Sequence, residues 1–470
     1  MNDTSDDVRR LLGRTAKLAA DFLASLDGRP VAPPASLASL RESLGGRLPE
    51  GPADPREVVE HLARAAEPGV VGMAGGRYFG FVIGGGVPAA LAADWLAAAW
   101  DQNAGLYVCG PAAAVVEEVA HRWLAELLEL PEGTSFAVTT GCQMAHFACL
   151  AAARQHLLAG AGWNVNERGM AGAPPIRVIA GARRHVTVDR ALRFLGLGRS
   201  ALRIAPSDRE GRMVMDGLAA ELAREPGPAV VCTQAGEVNT GAFDDLARAA
   251  DLSAAAGAWL HVDGAFGLWA AASPAHRHLV AGASRADSWA TDAHKWLNVP
   301  YDCGLAFTAH PEAHRAAMAV QAGYLQQASP GAERDAVDWT PEFSRRARGF
   351  VLWAALRSLG RSGVADLVAR CCGYARRFAR ELGATPGCAV LNEVVLDQVL
   401  LRFGDDDGAT REVIRRVQEG GEAWMSGTTV DGRAAMRISV VSWRTSDDDV
   451  ARAVAAVRRA WEATRSRGAA

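Results

Sequence analysis

Between about residue 76 and residue 365 short apolar runs alternate with segments of helical periodicity, and no other feature limits the fold as tightly. Phe136-Ala137-Val138-Thr139 precedes a helical pattern from Gln143 to Leu158, and Arg177-Val178-Ile179-Ala180 precedes another near Val188 to Leu195. Leu202-Arg203-Ile204, Ala229-Val230-Val231-Cys232, Trp259-Leu260-His261-Val262, Ser288-Trp289-Ala290 and Leu305-Ala306-Phe307 continue the series. Runs this short and apolar suit strands buried on both faces, and the helices between them supply crossover connections. The expectation is an α/β fold with a mainly parallel sheet covered on both sides. In such a sheet, reactive side chains sit just past the carboxyl ends of the strands.

The flanking regions read differently. Residues 1–75 form a helical arm with Pro/Gly-rich links such as Pro30-Val31-Ala32-Pro33-Pro34. An arm of this size hardly buries a core alone, so it is expected to pack on the body or on a second subunit. The region 76–365 is the expected large domain and 366–470 a small α+β domain. Its pattern is a helix from Val364 to Leu382, strands at Val394-Val395-Leu396 and Val399–Phe403, and a second helix. A hairpin follows (Glu422–Thr429 and Ala435–Val441, turned at Asp431-Gly432), then a terminal helix.

A formal net charge of -3 gives no electrostatic reason to expect nucleic acid or an anionic membrane as partner. The most apolar stretch, Phe79 to Trp100, is broken by Gly84-Gly85-Gly86, Pro88 and Asp94. It suits a buried loop and helix better than a membrane span of ~20 apolar residues. The start, Met1 to Asp7, is acidic and lacks the cationic and apolar regions of a signal peptide. Eight cysteines show no CxxC and no Cys/His cluster at zinc-ligand spacing, which reads as reduced thiols in a cytoplasmic protein without a metal site.

Lysine usage narrows the chemistry. Lysine and arginine total 50, yet only Lys17 and Lys295 are lysines. Arginine replaces lysine wherever a charge suffices, but a guanidinium neither forms a Schiff base nor deprotonates near neutral pH. Lys17 sits in an amphipathic helical pattern and reads as a solvated charge. Lys295, in Ser288-Trp289-Ala290-Thr291-Asp292-Ala293-His294-Lys295-Trp296, is the candidate for amine chemistry.

Several polar residues fall just after the apolar runs and match the needs of pyridoxal 5′-phosphate (PLP). Asp263 ends Leu260-His261-Val262-Asp263, and a buried carboxylate beside a pyridine nitrogen keeps that nitrogen protonated. Lys295 follows 32 residues later, an interval that suits one helix and a neighbouring strand. It is placed to hold the cofactor as a Schiff base, with His294 and Asp292 placed to touch the phosphate. Thr140-Gly141-Cys142-Gln143 opens a helix whose free amides form a phosphate site. His185 stands where an imidazole can stack on the ring, and Glu237 and Thr240 are candidate cofactor contacts in another loop after a strand. Alone, a strand-end aspartate caps turns and a lone histidine is structural. The argument rests on the set.

The ordered set from Thr139-Thr140-Gly141 through His185 and His261-Val262-Asp263-Gly264-Ala265 to Asp292-Ala293-His294-Lys295-Trp296-Leu297 resembles the group II PLP-dependent decarboxylases. These include the aromatic-amino-acid and glutamate decarboxylases. The resemblance extends to Tyr78-Phe79 and to Met436-Arg437-Ile438-Ser439. It implies PLP fold type I and a homodimer with active sites at the interface. It also implies roles: Lys295 for the Schiff base, Asp263 for the pyridine nitrogen, His185 for stacking, Ala265 on the opposite ring face. His294 and the amides at Cys142 and Gln143 would take the phosphate.

Two departures stand out. The familiar decarboxylases protonate Cα from a tyrosine in a mobile loop, whereas the corresponding Gln326–Trp339 stretch here has no tyrosine. Anchoring on Trp339 puts Ala336 at that place, and Tyr324, ahead of the loop, reads as a scaffold residue. The phosphate loop, Gly141-Cys142-Gln143-Met144-Ala145-His146, lacks the small or hydroxylated and acidic residues usual in relatives. The leading expectation is α-decarboxylation of an L-amino acid. The alternatives are a PLP enzyme with another outcome (oxidative deamination to an aldehyde, aldol cleavage or transamination) and a noncatalytic PLP-fold ligand-binding protein. For the substrate, Arg345, Arg346 and Arg348 form either a carboxylate clamp or ordinary ion pairs. Trp95, Trp100 and Tyr107 line an aromatic pocket or fill a dimer core.

Overall fold

The computed structural model describes residues 5–320 and 333–468. Its strands are β1 (Tyr78–Phe79), β2 (Ser135–Thr139), β3 (Arg177–Gly181), β4 (Leu202–Ala205), β5 (Ala229–Gln234) and β6 (Trp259–Asp263). They continue with β7 (Ser288–Asp292), β8 (Gly304–Thr308), β9 (Cys388–Val390), β10 (Gln398–Phe403), β11 (Trp424–Val430) and β12 (Arg433–Ser439). All seven apolar runs of the middle region become strands of one sheet, ordered β2-β8-β7-β6-β5-β3-β4. The pairings from β7 through β6, β5 and β3 to β4 are parallel. β8 runs against both β2 and β7, so β2 points the same way as the parallel strands.

Continuous apolar runs are needed because both faces are covered. Val231, Leu260, Trp289 and Phe307 enter one core cluster. Their neighbours Val230, Trp259, Ala290 and Ala306 enter the other. Helix Cys142–Gly160 packs on the second face through alanines, including Ala145, Ala148 and Ala152, whose small side chains bring its axis close to the sheet. The sheet and its covering helices give the α/β architecture of PLP fold type I.

The second sheet is ordered β1-β11-β12-β10-β9. The expected hairpin turned at Asp431-Gly432 forms, as β11 and β12. Three expectations need correcting. Val394-Val395-Leu396 is not a strand; its place in the sheet goes to β9, whose Val390 pairs with Leu401. The long helix begins at Gly349, not Val364, and runs to Gly383 with a break at Gly360 (φ 61°, ψ -179°). Glycine takes that left-handed φ without steric cost, which permits a sharp change of direction. Third, β1 joins this C-terminal sheet, pairing parallel to β11 with Tyr78 opposite Trp424 and their rings stacked 5.0 Å apart.

Helices Ser5–Ser25, Leu37–Leu44 and Pro55–Ala66 of the arm bury none of their residues in this chain. The arm is tied down beyond them, by Arg77. Its guanidinium donates to the carbonyls of Leu26 (3.1 Å), Asp27 (3.1 Å) and Arg29 (2.8 Å), and to that of Glu422 (2.6 Å) beside β11. Among the described residues, no helix is long and apolar enough to cross a membrane.

Arg77→Ala leaves several buried carbonyls without a donor and is expected to cost about 2–4 kcal/mol. The check is the thermal midpoint together with limited proteolysis of the 26–31 link. Lysine at this position, a point charge without the planar fork, should recover less than half of the loss.

Candidate active site

The carboxyl ends of β2, β3, β5, β6 and β7 all open on the same edge of the large sheet. Gly141 to Gln143 follow β2, His185 follows β3, and Gly236 follows β5. Asp263 ends β6, and Asp292 ends β7 just ahead of His294 and Lys295. These residues, with Ala265, line one cavity of about 320 Å³.

At one end of it the Asp263 carboxylate is buried. It accepts the Ala265 N–H at 3.2 Å, and its Oδ2 lies 3.5 Å from Nε2 of His146. Burial alone would favour the neutral acid, but the fields of His146, His185 and Lys295 outweigh it and hold the carboxyl below its ordinary value. Asp263 is an anion. His185 caps helix Val186–Phe194, its Nδ1 2.8 Å from Thr187 Oγ1 and accepting the Thr187 N–H. Burial lowers the His185 pKa against the pull of Asp263, so the ring is neutral with its proton on Nε2.

At the other end Lys295 Nζ lies 3.0 Å from Asp292 Oδ2. Burial pushes the ammonium down, and Asp292 more than compensates, so the net shift is upward. The other Asp292 oxygen accepts the Cys142 N–H at 2.6 Å, at the start of helix Cys142–Gly160. His294 accepts the Cys303 N–H on Nδ1 at 3.1 Å, which leaves Nε2–H facing Asp292 Oδ1 at 3.5 Å. The two Asp292 oxygens are spent on Lys295 and on the helix N-terminus, which corrects the expected phosphate contact. Gly84 presses on this loop, and a Cβ there would meet the Lys295 carbonyl oxygen at 1.9 Å.

A second, larger cavity of about 760 Å³ shares His185, Val238 and Lys295 with the first. Glu237 faces it, but its carboxylate accepts from the amides of Asn239 (2.9 Å) and Thr240 (2.8 Å) in its own loop. Thr240 lines neither cavity, and its hydroxyl donates to the Glu210 carbonyl at 2.6 Å, so the expected cofactor contact is corrected.

Of the two readings of Arg345, Arg346 and Arg348, the structure gives ordinary ion pairs. Arg345 pairs with Glu117 at 2.6 Å, Arg346 with Asp94 at 2.8 Å, and Arg348 with Asp302 at 2.7 Å. Sequence reasoning missed Arg437 on β12, which is buried and lines the larger cavity. Arg183 and Arg184 line it too, but they are paired with Asp431 (2.7 Å) and Asp189 (2.9 Å). Arg437 has no carboxylate within ion-pair distance among the described residues. It donates to the Val238 carbonyl at 3.1 Å, and its Nε is buried without a partner. The available signal was an arginine in an apolar strand, Ala435-Met436-Arg437-Ile438.

Trp95, Trp100 and Tyr107 line neither cavity. The first two are about half exposed, and the Trp100 ring meets Phe350 edge-on at 4.9 Å. Ala336 is buried in a turn of 3-10 helix, Ala336–Asp338, beside the Val337 N–H bond to the Gly105 carbonyl. Ala336, the position anchored on Trp339, lines neither cavity. Tyr324 and residues 326–332 lie outside the described residues. The spacing of cysteines and histidines suggested no metal cluster, yet the fold brings Cys142 Sγ, a His146 nitrogen and an Asp263 oxygen within 4.8 Å of one another. Burial raises the Cys142 thiol well above its ordinary value, so it stays protonated.

These residues fit PLP. An anionic carboxylate at one end and the sole amine of the middle region at the other bracket a cavity of the right class for a small cofactor. The N-terminus of helix Cys142–Gly160 opens on that cavity, and Gln143 Oε1 there is buried without a partner. Residues 38–403 match the pyridoxal-dependent decarboxylase conserved domain. The chain belongs to the pyridoxal-dependent decarboxylase family. It is 27% identical to tryptophan decarboxylase 1 of Oryza sativa subsp. japonica, over 97% of this chain and 93% of that one. Phenylacetaldehyde synthase of Arabidopsis thaliana is 24% identical, over 92% and 91%. The crystal structure of Oryza sativa TDC with PLP and tryptamine superposes with a TM-score of 0.91 at 24% identity, covering 98% and 99% of the two chains. This family member is a PLP-dependent enzyme of amino-acid metabolism.

Lys295→Ala is expected to abolish the near-visible absorbance of lysine-bound pyridoxal in the purified protein. Lys295→Arg should abolish it equally, since charge without a transferable amine is no substitute. An unchanged spectrum in either variant would show that the cofactor is held elsewhere.

Proposed function

We propose that this enzyme removes the α-carboxylate of an L-amino acid as CO₂ and releases the amine, with PLP in the smaller cavity and the substrate in the larger. One observation carries the reading. The two cavities meet at Lys295 and His185, and the larger one presents a buried arginine, Arg437, with no carboxylate within ion-pair distance among the described residues.

Bound PLP supplies an electron sink for the pair left at Cα when the carboxylate departs. The rest belongs to the chain. Lys295 would hold the aldehyde carbon, and the Asp263 anion would keep the pyridine nitrogen protonated. Neutral His185 on one side and Ala265 on the other would confine the ring. The Gln143 amide would receive the phosphate, joined by the Cys142 amide and the His294 Nε2–H once they turn from Asp292. Arg437, with two parallel N–H donors, orients a carboxylate in the larger cavity and excludes substrates without one. Tryptophan, named as the substrate of the Oryza sativa relative, suits a cavity that carries Phe81 and Tyr301 in its wall, and we read the substrate as an aromatic L-amino acid.

The arm supports a homodimer with active sites at its interface. Leu18, Phe22, Leu62, Val70, Leu91 and Trp95 line an open apolar groove of about 880 Å³, and a second copy of the chain is the occupant we assign to it. In this reading 1–75 is the arm, 76–365 the cofactor domain and 366–470 the small domain, β1 crossing between them. Eight free cysteines accord with a cytoplasmic setting.

Incubation with aromatic L-amino acids under air should yield equimolar CO₂ and amine; peroxide and aldehyde in place of amine would assign the oxidative outcome, and a PLP spectrum without turnover a ligand-binding role. Arg437→Met should lower kcat/KM about 30–100-fold. Trp95→Asp should shift the mass measured by light scattering from two chains toward one; an unshifted mass would place the interface elsewhere.

A further inference from the structure

Asp263 is backed by a line of buried hydrogen-bonding groups outside both cavities. His146 Nε2 stands 3.5 Å from Asp263 Oδ2, and its Nδ1 stands 2.9 Å from Nε2 of His261. His261 Nδ1 is 2.9 Å from Ser288 Oγ, which accepts the indole N–H of Trp259 at 2.8 Å. His146, His261, Ser288 and Trp259 are each at most 2% exposed. They come from three elements, helix Cys142–Gly160, β6 and β7.

The first and last links of this line have a fixed direction. A carboxylate only accepts, so the nitrogen of His146 that faces it carries the proton. In the direction that leaves Nδ1 of His146 its lone pair, His261 donates to it from Nε2. His261 in turn accepts on Nδ1, so the Ser288 hydroxyl donates. At the far end an indole only donates, and Ser288 Oγ is its acceptor. Every link is satisfied in this direction, and burial pushes the His261 pKa down to about 3. A chain of aligned hydrogen bonds polarises each member and strengthens the last donation.

We propose that His146, held in one tautomer by His261 and Ser288, is a positioning residue that keeps Asp263 ionised and aimed at the ring nitrogen of PLP. This rests on the reading that Asp263 faces that nitrogen. The other groups whose charge Asp263 feels or perturbs are His185, Lys295, Cys142, Cys232 and Asp244. Of these, His185 and Lys295 stand on the cavity side and Cys142 on the helix of His146. The thiol lies 3.4 Å from His146 Nε2 and is a weak competitor for its proton.

The test compares holoenzymes of His146→Leu, His146→Gln, Ser288→Ala and Asp263→Ala, read by PLP dissociation and by the pH profile of the bound cofactor's absorbance. Losing a hydrogen bond to a charged group should weaken PLP on the order of tenfold or more in His146→Leu. With the anion less stabilised, the ring nitrogen loses its proton more readily, so the alkaline midpoint moves to lower pH. Glutamine carries an N–H close to where Nε2 stood and should restore affinity to within about threefold. Ser288→Ala, which keeps the core volume, should move the midpoint in the same direction and covers the case in which His146→Leu does not fold. Wild-type affinity and profile in His146→Leu, or glutamine no better than leucine, would overturn the proposal. So would one tightly bound metal ion per chain that His146→Gln loses. If Asp263→Ala itself changes neither affinity nor profile, the premise about the ring nitrogen falls, whereas loss in Asp263→Ala without loss in His146→Leu sinks only the relay.

Discussion

Keeping a carboxylate ionised inside the protein, at the end of β6, is the constraint around which the rest of the site is arranged. Removing such a charge from water costs several kcal/mol, and a lone buried aspartate would take up a proton instead. Asp263 escapes that fate because three groups act on it together: His146 behind it, and His185 and Lys295 across the cavity. Each of those groups sits on a different strand-end or helix, so the charge state of one residue depends on the whole sheet being in register. The contrast with Asp397 is instructive. That residue is as deeply buried, has only the Gln398 amide as side-chain donor, and its pKa is pushed up to about 7.

Legibility in the sequence followed the physics of each feature. The seven strands of the large sheet were readable because residues buried on both faces must be apolar at every position, as Val230 and Val231 show. Lys295 and Asp263 were readable because lysine is scarce here and because both fall where a strand runs out. Val394-Val395-Leu396 was misread as a strand because a short apolar run carries no period, and the chain spends these residues on a turn beside β10. The break at Gly360 hid inside a glycine-containing helical pattern, so the helix start was placed late.

Charge partners were far less legible. Arg345, Arg346 and Arg348 looked like a cluster in sequence, yet adjacent side chains diverge, and each reaches a carboxylate more than 40 residues distant, Glu117, Asp94 or Asp302. Arg437 looked unremarkable, and it is the one that faces the shared cavity. His146 was passed over because it lies inside a helix of small apolar residues. Its importance comes from His261, 115 residues away, which no local pattern reveals.

The small sheet also reaches into the chemistry through the backbone of Lys295. Asn298, fully buried with φ 52°, donates its side-chain amide to the carbonyls of Lys295 (3.2 Å), Trp296 (2.9 Å) and Val441 (2.9 Å). Its oxygen accepts the Trp443 N–H at 2.9 Å, just past β12. Asparagine tolerates the left-handed region better than other side-chain-bearing residues, and its amide offers both donors and an acceptor in one plane. Gly84, whose missing side chain lets the chain close on the Lys295 carbonyl, presses from the segment that follows β1. β1 itself belongs to the small sheet, as does the strand that carries Arg437. The lysine that would hold the cofactor follows β7 of the large sheet, as Asp263 ends β6, and is braced by the small sheet, which carries the arginine that would hold the substrate. A productive distance between cofactor and substrate carboxylate is then set by how the two sheets pack, not by any single loop.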